Sequence, residues 1–288
     1  MTTTSIEITT LNRPARLDRG WRLFVRSILA RAYPRVIGQT REKLWIFFET
    51  FLPFLATVGY VFVYRAIKAP EDYVGFVVIG GAMTAFWLNV IWMMASQLYW
   101  EKSSGNLPLY IIAPNPLMSI LLGMAFGGLL ATVLRAGAII LLGTLLFNIQ
   151  YQVTDFLALF AVFTLTMAAL YGLGMMLASV FLLFGREAWQ IAEALREPVY
   201  FVSGFYFPVR ALGFPVALAA SVLPMTLGLD AMRQLSFGNG PALGFLTLGV
   251  EIAILAALTL IFGIGAKVAL EVVERKAIQE GTLTDRNR

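Results

Sequence analysis

The stretch VYFVSGFYFPVRALGFPVALAASVLPMTLGLDAMRQLSFG, residues 199–238, decides how the chain is read. It is apolar enough to enter a membrane, yet Pro208, Pro215 and Pro224 break it, and Gly204, Gly213 and Gly228 loosen it. Broken backbone at membrane depth leaves N–H and C=O groups unpaired, so it is tolerated only where protein or a water-filled cavity covers it. The segment therefore points to a transport or gating element rather than a plain span.

The rest of the chain is equally apolar. Of 288 residues, 59% are hydrophobic and 14% charged, against the roughly 45–50% and 25% of a soluble domain. The mean hydropathy is +0.76. This is the composition of an integral membrane protein. Cysteine and histidine are both absent, which removes thiolate metal sites, thiol nucleophiles and imidazole acid–base chemistry together. The first twenty residues show no apolar core with a small-residue cleavage site, so the first span is expected to direct insertion itself.

A spanning helix needs about 20 apolar residues. Candidates fall at 44–64, 73–96, 117–147, 156–184, 199–207 with its broken continuation, and 242–266, which predicts six spans. Pro198 is expected to open the fifth. Of the 22 Lys and Arg residues, seventeen precede the first span, follow the even-numbered spans or lie in the tail. Nine of these precede the first span, and only Arg65, Lys68, Arg210 and Arg233 fall on the alternate side. Both termini are therefore expected in the cytoplasm. The net charge of +5 follows from this bias and gives no reason to expect nucleic-acid binding.

Residues 18–43 carry Trp21, Phe24, Val25, Ile28 and Leu29 at helical spacing among Arg19, Arg22, Arg26 and Arg31. They read as an amphipathic helix in the headgroup layer, or as a basic anchor obeying topology alone. Residues 1–17 read as disordered, 44–266 as the membrane domain and 267–288 as a cytoplasmic tail. No phosphate-binding Gly-x-x-x-x-Gly-Lys-Ser/Thr loop is present; Gly263-Ile264-Gly265-Ala266-Lys267 has the wrong spacing. Any ATPase would have to be another chain.

The segment Tyr99 to Pro116 is too apolar for a solvated loop. It reads as a short surface helix offered to a partner, or as a hairpin packed under the bundle. Within it, Glu101-Lys102-Ser103-Ser104-Gly105-Asn106-Leu107 followed by Ala113-Pro114 resembles the cytoplasmic motif of ABC-2 type transporter permeases, Glu-Arg-x-x-Gly-Thr-Leu-Glu and then Thr-Pro. Ser203-Gly204-Phe205-Tyr206-Phe207-Pro208, Leu223-Pro224 and Asp230-Ala231-Met232-Arg233 resemble the same family's Ser-Gly-x-x-Phe-Pro, Asn-Pro and Asp-Ala-x-Arg steps. Order and spacing agree over nearly the whole chain. The departures are Asn106 for Thr, Pro108 for Glu and Leu223 for Asn; Pro108 removes one carboxylate that could meet an ATPase, while Glu101 keeps the other.

The resemblance implies an all-α, six-helix permease subunit of an ABC exporter. It implies two ATPase chains below, which would hold ATP and magnesium, and a second permease subunit, identical or related, beside it. This chain would bind no cofactor or metal and catalyse nothing. It implies a coupling helix between spans two and three, with Glu101, Lys102, Gly105, Asn106, Leu107 and Pro114 as coupling residues. It also implies re-entrant helices after span five, with Ser203, Gly204, Phe207, Pro208, Pro224, Asp230 and Arg233 at an outer exit. Arg186 and Glu187, in the charged loop 185–197, would form a second ATPase contact or a solvated connector. The expected home is a bacterial or archaeal plasma membrane, and the expected cargo is an amphiphilic or apolar molecule of drug, antibiotic or lipid type, the alternative being a polysaccharide or lipid-linked glycan.

Charges inside spans cost roughly 2.5–3.5 kcal/mol each on insertion scales. Glu49 is expected to snorkel or pair with Lys43; Arg135 and Glu251 are expected to pair or share one vestibule in the outer half, as a structural pair or a substrate contact. Gly123 and Gly127, and Ala168 and Gly172, offer close-packing faces within the subunit or at a dimer seam. Phe86, Trp87, Trp92, Met93 and Met94 would line a pliable apolar path or pack against lipid. A secondary carrier or channel would need titratable or cation-coordinating groups near the midplane, and Glu49, Arg135 and Glu251 are few and show no inverted repeat. An intramembrane enzyme would need a nucleophile–base cluster that does not assemble here.

Overall fold

The computed structural model describes residues 21–112, 116–238 and 244–280, so the expected disorder at 1–17, Pro114 and the last eight residues of the tail lie outside the described residues. The described residues form helices joined by short turns and irregular connections, without a strand. Helix α1 (Trp21–Arg41) precedes α2 (Lys43–Ala66) and α3 (Asp72–Leu88). A π-helical segment (Asn89–Ala95) and α4 (Gln97–Ser103) continue α3, and the short α5 (Leu107–Ile112) follows a turn. Then come α6 (Leu117–Phe147), α7 (Phe156–Phe184), α8 (Arg186–Val202), a 3-10 turn (Val209–Leu212), α9 (Phe214–Ala220), α10 (Pro224–Ser236) and α11 (Leu248–Glu280).

Five helical runs are long and apolar enough to cross a membrane: Ile46–Ala66, Asp72–Ser103, Leu117–Phe147, Phe156–Phe184 and Leu248–Arg275. The pair α9 and α10, bent by 110°, makes a sixth if counted as one broken span. The expected fifth span at 199–207 does not form. Instead α8 runs unbroken from Arg186 through Pro198 to Val202, so Pro198 lies inside the helix and does not open it. Its first ten residues carry Arg186, Glu187, Glu193 and the ring of Trp189, which gives α8 an amphipathic rather than a uniformly apolar character.

Local chemistry sets the corners. Asp155 caps α7 by accepting from the backbone N–H groups of Leu157 at 2.9 Å and Ala158 at 3.0 Å. Gly185, with φ +52°, turns α7 into α8, a left-handed conformation that glycine adopts without a Cβ penalty.

Helix α3 is the hub. Every residue from Val74 to Trp87 is buried, with α2, α6 and α10 around it. Helix α2 is peripheral and turns Phe47, Phe48, Leu52, Leu55 and Phe62 outward. Helix α1 lies along α6. A Cβ on Gly123 would meet the Ile28 carbonyl oxygen at 2.6 Å, and one on Gly127 the Ala32 carbonyl oxygen at 2.8 Å. The Gly123–Gly127 face is thus an intrasubunit one, occupied by α1. Gly172 likewise receives α11, where a Cβ would meet Phe262 Cβ at 3.2 Å, while Ala168 faces outward.

Candidate functional site

Two anchored clusters sit at opposite ends of the helical run Asp72–Ser103, with a polar junction between them. Phe76 marks one end and Glu101 the other; at 1.5 Å per residue they are about 38 Å apart.

At the first end, the broken stretch 199–238 is held by one guanidinium. Arg233 is 1% exposed, and its Nη1 donates to the Gly204 carbonyl at 2.6 Å. Its Nη2 donates to the carbonyls of Phe205 at 2.7 Å and Phe76 at 2.8 Å, and the group stacks on the Phe76 ring. Two carbonyls freed by non-helical backbone, those of Gly204 and Phe205, are thereby satisfied inside the protein, as membrane depth demands, and the Phe76 carbonyl of α3 ties the same guanidinium to the hub helix. Gly204 takes φ +71°, and Tyr64 donates from its hydroxyl to the Tyr206 carbonyl at 2.9 Å. Ser203 and Pro208 are buried beside this turn and Phe207 is half-buried.

Asp230 faces elsewhere. Its Oδ2 accepts from the Phe245 backbone N–H at 2.7 Å and from Gln234 Nε2 at 3.3 Å. Gln234 also donates to Glu251 Oε2 at 3.0 Å and to the Leu246 carbonyl at 2.9 Å. The Asp-Ala-x-Arg step is therefore a two-sided clasp, Arg233 gripping 204–205 and α3 while Asp230 grips the chain leading into α11. Helix α10 is buried along its whole length, from Pro224 to Ser236. Leu223 stands at its N-cap without a side-chain acceptor, which the Asn usual in the resembled motif would supply.

At the other end, α4, the turn at Ser104 and Gly105, and α5 form an elbow. The short helix expected along the surface is in fact two helices, the first continuing the run from α3. Glu101 is buried, and does not face outward as a docking carboxylate would. It accepts from Arg31 of α1, from Gln97 Nε2 at 3.0 Å and from Asn106 Nδ2 at 3.2 Å. The Asn106 backbone N–H donates to the Glu101 carbonyl at 2.9 Å, and Gly105 closes the turn with φ +77°. Arg31 also lies over the Tyr110 ring at 5.1 Å. Leu107 is fully buried under the elbow, whereas Leu109 and Ile112 on α5 are 66% and 81% exposed. Arg186 and Glu187 are exposed at the start of α8, with Glu187 on the rim of a cleft described below.

Between the ends lies the junction of α1, the π segment, α6 and α7. The Met93 carbonyl, in the π segment, accepts from Arg35 Nη2 at 3.3 Å. Asn89 Oδ1 accepts from the Tyr171 hydroxyl at 3.0 Å. Arg135 pairs with Glu49, so neither of the expected pairings holds: Glu49 does not depend on Lys43, and Arg135 does not meet Glu251. A helix of 31 residues exceeds the membrane core, so the position of Arg135 along the sequence of α6 does not give its depth.

An apolar cleft of about 430 Å³ lies between α3, α7 and α8, lined by Trp87, Trp92, Leu177, Phe181, Ile191 and Leu195 among others. Phe86 and Met83 line a second, of about 420 Å³, with α6 and α7. The span-two aromatics thus face clefts or core. Among the described residues no group of three carboxylates is placed to hold a metal ion. Sequence reasoning places Arg31 only on the charged side of the N-terminal helix and passes over Arg35, Gln97, Phe76 and Gln234; the spacing of Arg31 and Arg35, four residues apart on one helix face, is the available signal.

Against known proteins, the family model described as ABC-2 type transporter matches residues 25–237. A search of curated proteins finds no match.

Proposed function

The chain belongs to the ABC-2 type transporter family, as the membrane component that works with ABC ATPase subunits, and on that premise we propose that it is the permease subunit of an ABC exporter. In this reading two ATPase chains bind the cytoplasmic face, hold ATP and magnesium, and act on one permease dimer, of identical or related subunits. Both termini lie in the cytoplasm of a bacterial or archaeal cell, and this chain carries no catalytic residue. The cargo is an amphiphilic or apolar molecule of drug, antibiotic or lipid type, which the two apolar clefts suit better than a polysaccharide.

The observation that carries the reading is the anchored elbow. Leu109 and Ile112 project from α5 while Glu101 ties its base to Arg31 of α1 and to the run that reaches Phe76. A push on α5 is thus delivered to a rigid, buried anchor rather than dissipated in a loop. Its other end meets the Arg233 clasp, which holds the re-entrant pair. Arg186 and Glu187 supply a second contact for the ATPase.

The test is reconstitution. The chain co-expressed with an ABC ATPase should co-purify with it and, in proteoliposomes, move a fluorescent amphiphile outward only with hydrolysable ATP. Transport that persists without ATP, or a permease that never associates with an ATPase, overturns the reading in favour of an ion-coupled carrier.

A further inference from the structure

In the outer clasp every guanidinium nitrogen of Arg233 meets an acceptor, but at the junction of α1, α2 and α6 this is not so. Arg31, Arg35 and Arg135 gather from there to the elbow with two carboxylates among the described residues, Glu49 and Glu101. Arg31 takes Glu101 and Arg135 takes Glu49. Arg35 is left with the neutral acceptors Gln97 Oε1, at 3.2 Å, and the Met93 carbonyl. Its Nε has no partner among the described residues, nor has Nη2 of Arg135, whose side chain is 6% exposed. Arg35 lies close enough to Arg135 to act on it electrostatically. The cluster holds one positive charge in excess and two buried guanidinium N–H groups without an acceptor, where the rule is that buried charges are paired.

The surroundings say what would answer that charge. Beside Arg135 opens a notch of about 200 Å³, walled by Val36, Ile46, Leu130, Leu134 and Ala138. Leu130 and Leu134 stand half or more exposed along it. Arg41 and Lys43 are exposed at the corner of α1 and α2, just beyond Ile46. A free inorganic anion gains nothing from apolar walls. A phospholipid presents a monoanionic phosphodiester to the guanidinium groups and an acyl chain to the walls, and a basic excess selects lipids with net negative charge.

We propose that the notch between α1, α2 and α6 binds an anionic phospholipid, its phosphate accepting from Arg135, the one cation that lines the notch among the described residues, with one acyl chain lying along Leu130, Leu134 and Ala138. The site goes beyond the transport reading and does not depend on it.

The experiment uses the full-length chain, purified in detergent, stripped of lipid and melted with phosphatidylglycerol, phosphatidylcholine or inorganic phosphate. Phosphatidylglycerol near saturation should raise the melting temperature by about 5 °C, and the other two should not. Ala138→Phe fills the notch without touching either ion pair and should abolish the rise. The double variant Arg135→Gln with Glu49→Gln removes the guanidinium that would hold the phosphate together with its partner, at unchanged net charge, and should do the same; if it does not fold, Ala138→Phe decides alone. An equal rise with phosphatidylcholine or with phosphate, no rise with phosphatidylglycerol, or a rise that survives Ala138→Phe overturns the assignment. The readout involves neither ATPase nor transport, so it fails or stands separately from the proposed function.

Discussion

Arg233 concentrates the folding problem of the broken segment into one side chain. The planar fork of its guanidinium reaches the carbonyls of Phe76, Gly204 and Phe205 at once, whereas a lysine ammonium is a point charge that cannot span them. Arg233→Lys should therefore destabilise the protein by about 3 kcal/mol, read as a lowered melting temperature in detergent, because carbonyls at membrane depth lose their donor. Gly80 belongs to the same anchor: a Cβ there would fall on the Phe205 carbonyl oxygen, which is backbone and cannot give way. Gly80→Ala should be as damaging as Arg233→Lys, while Gly137→Ala, with nothing within 4 Å of its Cβ position, should melt within about 0.5 kcal/mol of the parent. Equal tolerance at Gly80 and Gly137 would show that the clasp does not hold the turn. The Ser-Gly and Asp-Ala-x-Arg residues were visible in the sequence as a pair of motifs. Their contact was not, because 28 or 29 residues, with a 3-10 turn and two helices bent by 110° among them, separate Arg233 from the carbonyls of Phe205 and Gly204, Phe76 lies 157 residues away, and no periodicity spans such gaps.

The elbow is an element whose parts do different work. Glu101 and Arg31 form its anchor: the carboxylate is buried and the guanidinium about one-third exposed, so water screens the pair in part. A double-mutant cycle on Glu101→Gln and Arg31→Gln should give a coupling of about 1 kcal/mol, measured by thermal unfolding. Additive single variants would mean that α1 and the elbow are not tied. Leu109 and Ile112 are the working face. Leu109→Asp with Ile112→Asp should leave the melting temperature of the isolated chain within about 1 °C, since neither side chain is buried, yet abolish co-purification with the ATPase. The long spans were legible almost to the residue, with 117–147 and 156–184 recovered as α6 and α7, because twenty or more apolar residues leave no alternative in lipid. The fate of 199–207 was not. Hydropathy registers the apolar run but not that the preceding charged residues form one helix with it, so the segment is divided at Pro198 in the sequence and continuous in space. The π segment was equally invisible, since nothing in Asn89 to Ala95 marks an extra residue per turn.

Taken whole, the molecule is a buried rod with an anchor at each end. The run Asp72–Ser103 joins the elbow to the clasp, α6 and α7 flank it, and α1 braces it through Arg31 and Arg35. The rod departs from α-helical geometry at the π segment, where Asn89 and Tyr171 place a buried hydrogen bond among apolar contacts. The orientation proposed above rests on charge: seventeen of the 22 Lys and Arg residues lie in the N-terminal segment, the connections after the even-numbered expected spans and the tail, which the positive-inside rule would put in the cytoplasm. The absence of cysteine makes this directly measurable, since any introduced thiol is the sole one. Ser104→Cys, exposed on the elbow turn, should react with a membrane-impermeant maleimide only in inverted vesicles. Glu71→Cys, exposed at the corner of α2 and α3, should react only in intact cells. Labelling of both from one side would contradict the rod crossing the membrane, since 32 continuous helical residues separate the two faces. Labelling with the two sides exchanged would put the elbow outside, beyond the reach of any cytoplasmic ATPase, and would refute coupling through α5 while leaving the fold intact.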